Sequence, residues 1–147
     1  MNTERYMNRL SALAAASLAL LLGPGTTAAE ETSFDVSLSG GSGSGDSDGE
    51  GEGTVTVDSE THQISWELSH ANIGEPTAMH IHQGAEGESG GVVVPMTVGT
   101  DPEGTLVGLT SAPPDVVEAI LASPADYYVN IHNDEYPGGA IRGQLDD

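Results

Sequence analysis

The stretch that decides the fold has the sequence YYVNIHNDEYPGGAIRGQL and runs from Tyr127 to Leu145. Apolar and polar side chains alternate in both of its halves, a period of two that is typical of β-strands with one buried face. Between the halves, Pro137 has no backbone N–H to donate and two glycines accept positive φ angles, which favours a turn. The stretch therefore predicts a β-hairpin. Its polar positions are Tyr128, Asn130, His132, Arg142 and Gln144, and its apolar positions include Val129, Ile131 and Ile141.

This hairpin resembles the C-terminal signature of the CHRD domain, a module named after chordin and also found singly in secreted prokaryotic proteins. The resemblance rests on YVNIH at 128–132 and on the later PGG and IRGQL. A second segment, AMHIHQG at 78–84, is followed by a glycine-rich loop and the apolar run VVVPM, and is similar to the same family. The similar segments extend from Ser33 to Leu145. The resemblance implies an all-β fold in a secreted protein of one domain, and it implies no particular activity.

Period-two patterns also precede the hairpin along the chain. The segment 33–38 alternates apolar and polar residues and predicts a first strand. Two similar patterns, around Val55 and around Trp66, predict a further hairpin with an apolar inner face. Pro95 interrupts the apolar run at 92–98, which favours an edge strand or a bulge there.

One short helix is expected at 115–121. Asp115 and Glu118 have the spacing of a capping box, and Pro124 should end the helix. Together with about seven short strands, this helix predicts an all-β fold, either an antiparallel β-sandwich or a flattened barrel.

The first 29 residues have the pattern of a secretory signal peptide. Arg5 and Arg9 lie in a polar start, an apolar run follows, and small residues precede a cleavage site after Ala29. We therefore expect an exported protein, secreted or at the cell surface, with no membrane insertion after cleavage. Its mature domain should span 30–147.

Residues 40–53 consist almost wholly of Gly, Ser, Asp and Glu. This composition cannot bury apolar surface, so it predicts a flexible acidic loop. The sequence DSDGEG at 46–51 resembles the start of an EF-hand calcium loop. The twelfth position of such a loop, however, is Val57 rather than glutamate.

The composition is strongly acidic, with 23 Asp and Glu residues against 3 Lys and Arg residues and a formal charge of −20. Two of the basic residues lie in the predicted signal peptide, which leaves Arg142 alone in the mature chain. Such a surface repels phosphate backbones and anionic lipids, so nucleic-acid binding and membrane-surface roles are not expected. Salt screens this repulsion, so the composition favours a halophilic host, with calcium loading or a cationic partner as the alternative.

Three of the five histidines occupy positions from which they could share a metal ion. His80 and His82 have the same parity on a predicted strand, and His132 has the polar parity on the hairpin. Neutral imidazole suits copper and zinc, so these residues are candidate ligands. The arrangement has a loose likeness to the copper,zinc superoxide dismutases, although the chain has no cysteine for their disulfide. The alternative is a polar seam in which the histidines hydrogen-bond and fix strand register.

The other polar residues of the hairpin are candidates for structural or binding roles. Arg142 is expected to form an ion pair with a carboxylate such as Glu67 or Asp134. No serine–histidine–acid order, cysteine nucleophile or phosphate-binding glycine loop stands out, so the sequence does not predict an enzyme. Two functions stay open, a non-catalytic module that binds an unknown protein or surface ligand, and a protein that binds copper or zinc. The candidate structural or binding residues are Tyr128, Asn130, Arg142 and Gln144.

Overall fold

The computed structural model describes residues 30–41 and 44–146. These residues form eight β-strands and one α-helix, so the all-β prediction is confirmed, with one strand more than expected. No helix in the described ranges is long and apolar enough to span a membrane. The predicted signal peptide at 1–29 lies outside the described residues. The elements are β1 (Glu31–Ser39), β2 (Glu50–Asp58), β3 (Gln63–Ala71), β4 (Ala78–Gln83), β5 (Val92–Met96), β6 (Leu106–Ser111), α1 (Pro114–Ala122), a 3₁₀ turn (Pro124–Asp126), β7 (Tyr127–His132) and β8 (Ile141–Gln144).

The strands form one antiparallel sheet in the order β5-β4-β7-β8-β1-β2-β3-β6. The sheet is nearly closed, because the N–H of Val107 in β6 donates to Gly99 O, just beyond β5, at 2.9 Å. β1 and β8 share only the register pair Ser39 and Arg142, so pairing is sparsest at this joint. Pro95 lies in the edge strand β5, as the sequence predicts. Its missing N–H interrupts no hydrogen-bonded pairing there, because β5 has a neighbouring strand on one side only.

In each strand, the alternate positions with apolar side chains face the interior, and the positions between them, with mostly polar side chains, face outward. Alternation therefore fixes which side chains of β4, β7 and β8 lie on the outer face, where all the candidate site residues are found. The helix α1 adds two more apolar side chains to the core. The fully buried core residues include Val55, Val57, Ile64, Leu68, Met79, Ile81, Val117, Ile120, Val129 and Ile131.

The predicted flexible loop at 40–53 is shorter in the structure. β2 begins at Glu50, so the last four residues of the predicted loop belong to a strand that pairs with both β1 and β3. Just before it, the N–H of Asp46 donates to Ala140 O at 2.9 Å. Pairing on both sides outweighs the weak strand propensity of glycine and acidic residues. The last two residues of the EF-hand-like sequence, Glu50 and Gly51, are therefore strand residues.

The capping box predicted for the helix is wrong. α1 begins at Pro114, so Asp115 lies within its first turn, and the N-cap residue Pro113 makes no side-chain capping bond. Proline suits the first helical position because its φ is already helical and its missing N–H would be unpaired there. Glu118 therefore has no capping partner to reach. The helix ends before Pro124, as predicted.

Candidate metal centre

The three candidate ligands project from two neighbouring strands. β4 and β7 run antiparallel, and their register pairs His80 with Asn130 and Ala78 with His132. His80 and His132 are therefore diagonal neighbours, and His82 lies two residues further along β4 on the same face. The apolar residues between them are fully buried in the core. Because side chains alternate along a strand, the histidines must face the outer side of the sheet.

The structure brings the three histidines into one cluster. One possible ligand atom from each residue lies within 4.8 Å of the other two. The ring centres are separated by 5.0 Å for His80 and His132, 5.6 Å for His80 and His82, and 6.0 Å for His82 and His132. His132 is buried and the other two are half-buried, so the cluster is sheltered without being sealed from solvent.

Backbone carbonyls fix the tautomers of two of the rings. His82 Nδ1 lies 2.9 Å from Gly90 O, and His132 Nδ1 lies 3.0 Å from Pro137 O. A carbonyl oxygen only accepts, so each Nδ1 carries the proton and each Nε2 carries a lone pair. His82 Nε2 is buried and has no hydrogen-bond partner in the described chain. A ring N–H bonded to a backbone carbonyl is the usual outer shell of a metal-binding histidine.

The third ring completes the pattern. His80 Nδ1 lies 3.1 Å from His132 Nε2, and because the latter carries a lone pair, His80 Nδ1 donates in the metal-free protein. Burial lowers the pKa of His80 below its ordinary value, and the neighbouring His132 and His82 lower it further. Burial also lowers the pKa of His132, although its bond to Pro137 opposes the change. These two residues therefore favour the neutral form, which is the form that binds metals.

The spacing of the nitrogens suits a shared ion. Two ligands at about 2.0–2.1 Å from a metal, with tetrahedral or square geometry, lie about 2.9–3.4 Å apart. The separation of 3.1 Å between His80 Nδ1 and His132 Nε2 falls in this range, and His80 Nδ1 becomes a ligand when its proton moves to Nε2 or is released. Three imidazoles favour copper or zinc over calcium and magnesium, which prefer oxygen ligands.

Tyr128 holds His82 from the side. The two rings are stacked, with centres 5.0 Å apart and planes inclined by 9°. The Tyr128 hydroxyl accepts a hydrogen bond of 3.3 Å from the N–H of Gly90, the residue whose carbonyl receives the His82 N–H. The imidazole is therefore fixed by a ring on one side and a loop on another.

The four candidate binding residues line one cleft of about 840 Å³, which His82 also lines. Gln144 Nε2 donates to Ala125 O at 2.7 Å and Asn130 Nδ2 donates to Gly138 O at 3.3 Å, so these two side chains mainly hold the surrounding loops. Tyr128 supports His82, as described above. Arg142 is the remaining member.

The ion pair predicted for Arg142 is not formed. Glu67 lies on β3, separated from β8 by two strands, and Asp134 is exposed in the β7–β8 loop. The guanidinium carbon lies instead 4.3 Å from the centre of the Tyr128 ring. Stacking on an aromatic face thus replaces the expected carboxylate.

Sequence reasoning missed the two carbonyls that orient the rings. Gly90 lies in the glycine-rich loop after β4, and Pro137 lies in the turn between β7 and β8. Both segments were predicted to be loops, but their side chains carry no signal for a backbone acceptor. Only the three-dimensional path of each loop brings its carbonyl to a histidine.

The comparisons with known proteins agree with the hairpin signature. The family model described as CHRD domain matches residues 34–145, which is most of the chain. No curated protein and no solved structure matches the sequence significantly. With the match covering every strand except the first residues of β1, the chain belongs to the CHRD domain family.

Proposed function

We propose that this CHRD domain binds copper or zinc through His80, His82 and His132. The observation that carries the proposal is the convergence of three imidazoles, with the lone pair of His82 Nε2 buried and unpartnered among them. A buried polar atom without a hydrogen bond is costly, and a metal bond would remove that cost. The two backbone carbonyls support the proposal because they hold the rings in the tautomer that binds.

The proposed role is binding rather than catalysis. Three protein nitrogens leave one or more coordination positions of copper or zinc free, so a solvent molecule or a partner's ligand can complete the sphere. The cluster lies on the outer face of the sheet, which suits exchange of the ion with the surroundings. We propose that this takes place outside the cell, on the support of the signal-like pattern at 1–29.

Metal titration of the tag-free protein tests the proposal. Calorimetry with zinc(II), and electron paramagnetic resonance with copper(II), should show one site per chain with imidazole nitrogen ligands. His82→Ala and His132→Ala should each weaken binding by more than the about 10- to 100-fold that outer-shell changes cost. His70→Ala is the matched control, because His70 is half-buried on β3, away from the cluster.

Two results would contradict the proposal. One is binding by His82→Ala as tight as binding by the parent protein. The other is equal loss in His70→Ala and His132→Ala, which would indicate unspecific surface binding. Either outcome would leave the polar seam as the role of the histidines and favour a module that binds a protein or surface ligand.

A further inference from the structure

Arg142 is the only lysine or arginine in the described part of the chain, and it forms no ion pair there. The chain has 23 acidic residues, so a carboxylate partner would be easy to supply. The guanidinium also donates no hydrogen bond to another described residue. Its five N–H groups are therefore available to a ligand.

The guanidinium is nevertheless held in place. It lies over the ring of Tyr128, which is only 2% exposed and is itself fixed by the hydrogen bond from Gly90. β4 and β8 flank β7 on opposite sides, so this ring stands between His82 and Arg142. Stacking on a rigid ring reduces the side-chain entropy that a ligand would otherwise have to remove on binding.

The space in front of Arg142 is the cleft described above. Several of the residues that line it are small, with Gly138 and Gly139 on one loop and Ser37 and Ser39 on β1, and Ser39 is the register partner of Arg142. Exposed carboxylates also line it, and none of them pairs with the arginine. A single cation within an acidic rim disfavours large polyanions, which would be repelled along most of their length.

We propose that this cleft binds a small organic carboxylate through the guanidinium of Arg142. The planar fork of a guanidinium matches the two oxygens of a carboxylate, and such paired hydrogen bonds are strong and directional. The glycine and serine residues that line the cleft leave room for a small carboxylic acid. The hydroxyl groups of the serines on β1 can accept or donate further hydrogen bonds to it. The site needs no metal ion, but His82 lines the same cleft, so the test is run on the metal-free protein.

Nuclear magnetic resonance of the isotope-labelled, tag-free protein tests this site. Metal is removed with a chelating resin, because soluble chelators are themselves polycarboxylates. Acetate, malonate and succinate are titrated at constant ionic strength, with acetamide, malonamide and succinamide as uncharged matches. At least one acid should cause saturable shifts of the Arg142 Nε–H and of the Tyr128 ring, while its amide should not.

Two variants sharpen the result. Arg142→Gln should weaken binding by about tenfold or more, since it removes charged hydrogen bonds, and Arg142→Lys should lie between. His70→Ala should bind as the parent does. If acids and amides shift the same signals equally, or if shifts grow without saturation, the site does not exist. This comparison uses the native chain, so it decides the matter even if Arg142→Gln fails to fold.

Discussion

Gly90 shows how a residue without a side chain can organise the candidate centre. Its carbonyl oxygen accepts a hydrogen bond from the Nδ1–H of His82, and its N–H donates to the Tyr128 hydroxyl. Both bonds come from the backbone, so the position of the loop sets the position of two rings at once. Pro137 has the same role for His132 through its carbonyl. The geometry of the cluster therefore depends on two turns that contribute no ligand of their own.

Gly139 offers a test of the second turn. It has a φ of +124°, and a Cβ there would collide with the side chain of Asn130. We expect Gly139→Ala to lower the free energy of unfolding by about 1–3 kcal/mol, because both the backbone angle and the contact become unfavourable. Denaturant unfolding of the metal-free protein measures the change.

Gly138→Ala is the matched control for this change. A Cβ at Gly138 would meet open space, so its effect should stay within about 0.5 kcal/mol. If the two variants unfold alike, the collision does not determine the stability of the turn. Gly139→Ala should also weaken zinc binding more than Gly138→Ala, since the turn presents the Pro137 carbonyl to His132.

At the scale of elements, parity explains why the strands and the histidine cluster could be predicted. Met79 and Ile81 must face the core, so the histidines beside them must face outward. Which strand lies next to β4 could not be predicted, because strand order depends on contacts distant in sequence. The loop at 40–53 was predicted too long for the same reason, since pairing with β1 and β3 recruits its last residues.

The pairing of β4 with β7 leads to a pH dependence of stability. Burial lowers the pKa of His80 and His132 in the folded protein, whereas both titrate near about 6.5 when unfolded. Below that value the unfolded chain binds more protons, so stability should fall as the pH decreases towards the lowered pKa values. Above it, these residues should contribute no slope. Urea unfolding of the metal-free protein between about pH 5 and 7.5 measures this.

Variants distinguish the contribution of the histidine cluster to this pH dependence from the contribution of His70. His70 also has a pKa lowered by burial, so it contributes a slope of the same sign. In the double variant His80→Ala/His132→Ala, stability should depend less steeply on pH than in the parent. His70→Ala should remove only the contribution of His70 to this dependence. Stability that rises as the pH falls through this range would mean that the folded cluster prefers protons, contrary to its burial.

At the scale of the molecule, like charges are crowded on one small surface. Asp35, Glu52 and Glu67 line one shallow groove across β1, β2 and β3, and each of these residues is exposed. The strands can pair in spite of this because the side chains keep their charges in water, where repulsion is weak but acts over many pairs. Stability should therefore depend on the ionic strength.

We expect the melting temperature to rise with sodium chloride, and most of the rise to occur below about 1 M. Over this range the Debye length falls from about 30 Å at 0.01 M to about 3 Å at 1 M, so repulsion between neighbouring carboxylates is progressively screened. Exclusion of solutes from the protein surface also raises stability. Sucrose is the control for this effect, because it is excluded from the surface but does not screen charges. Glu52→Gln/Glu67→Gln should raise the melting temperature at low salt and reduce its dependence on sodium chloride. A melting temperature that stays constant across this range, or a double variant as salt-dependent as the parent, would show that charge repulsion does not limit the stability of this domain.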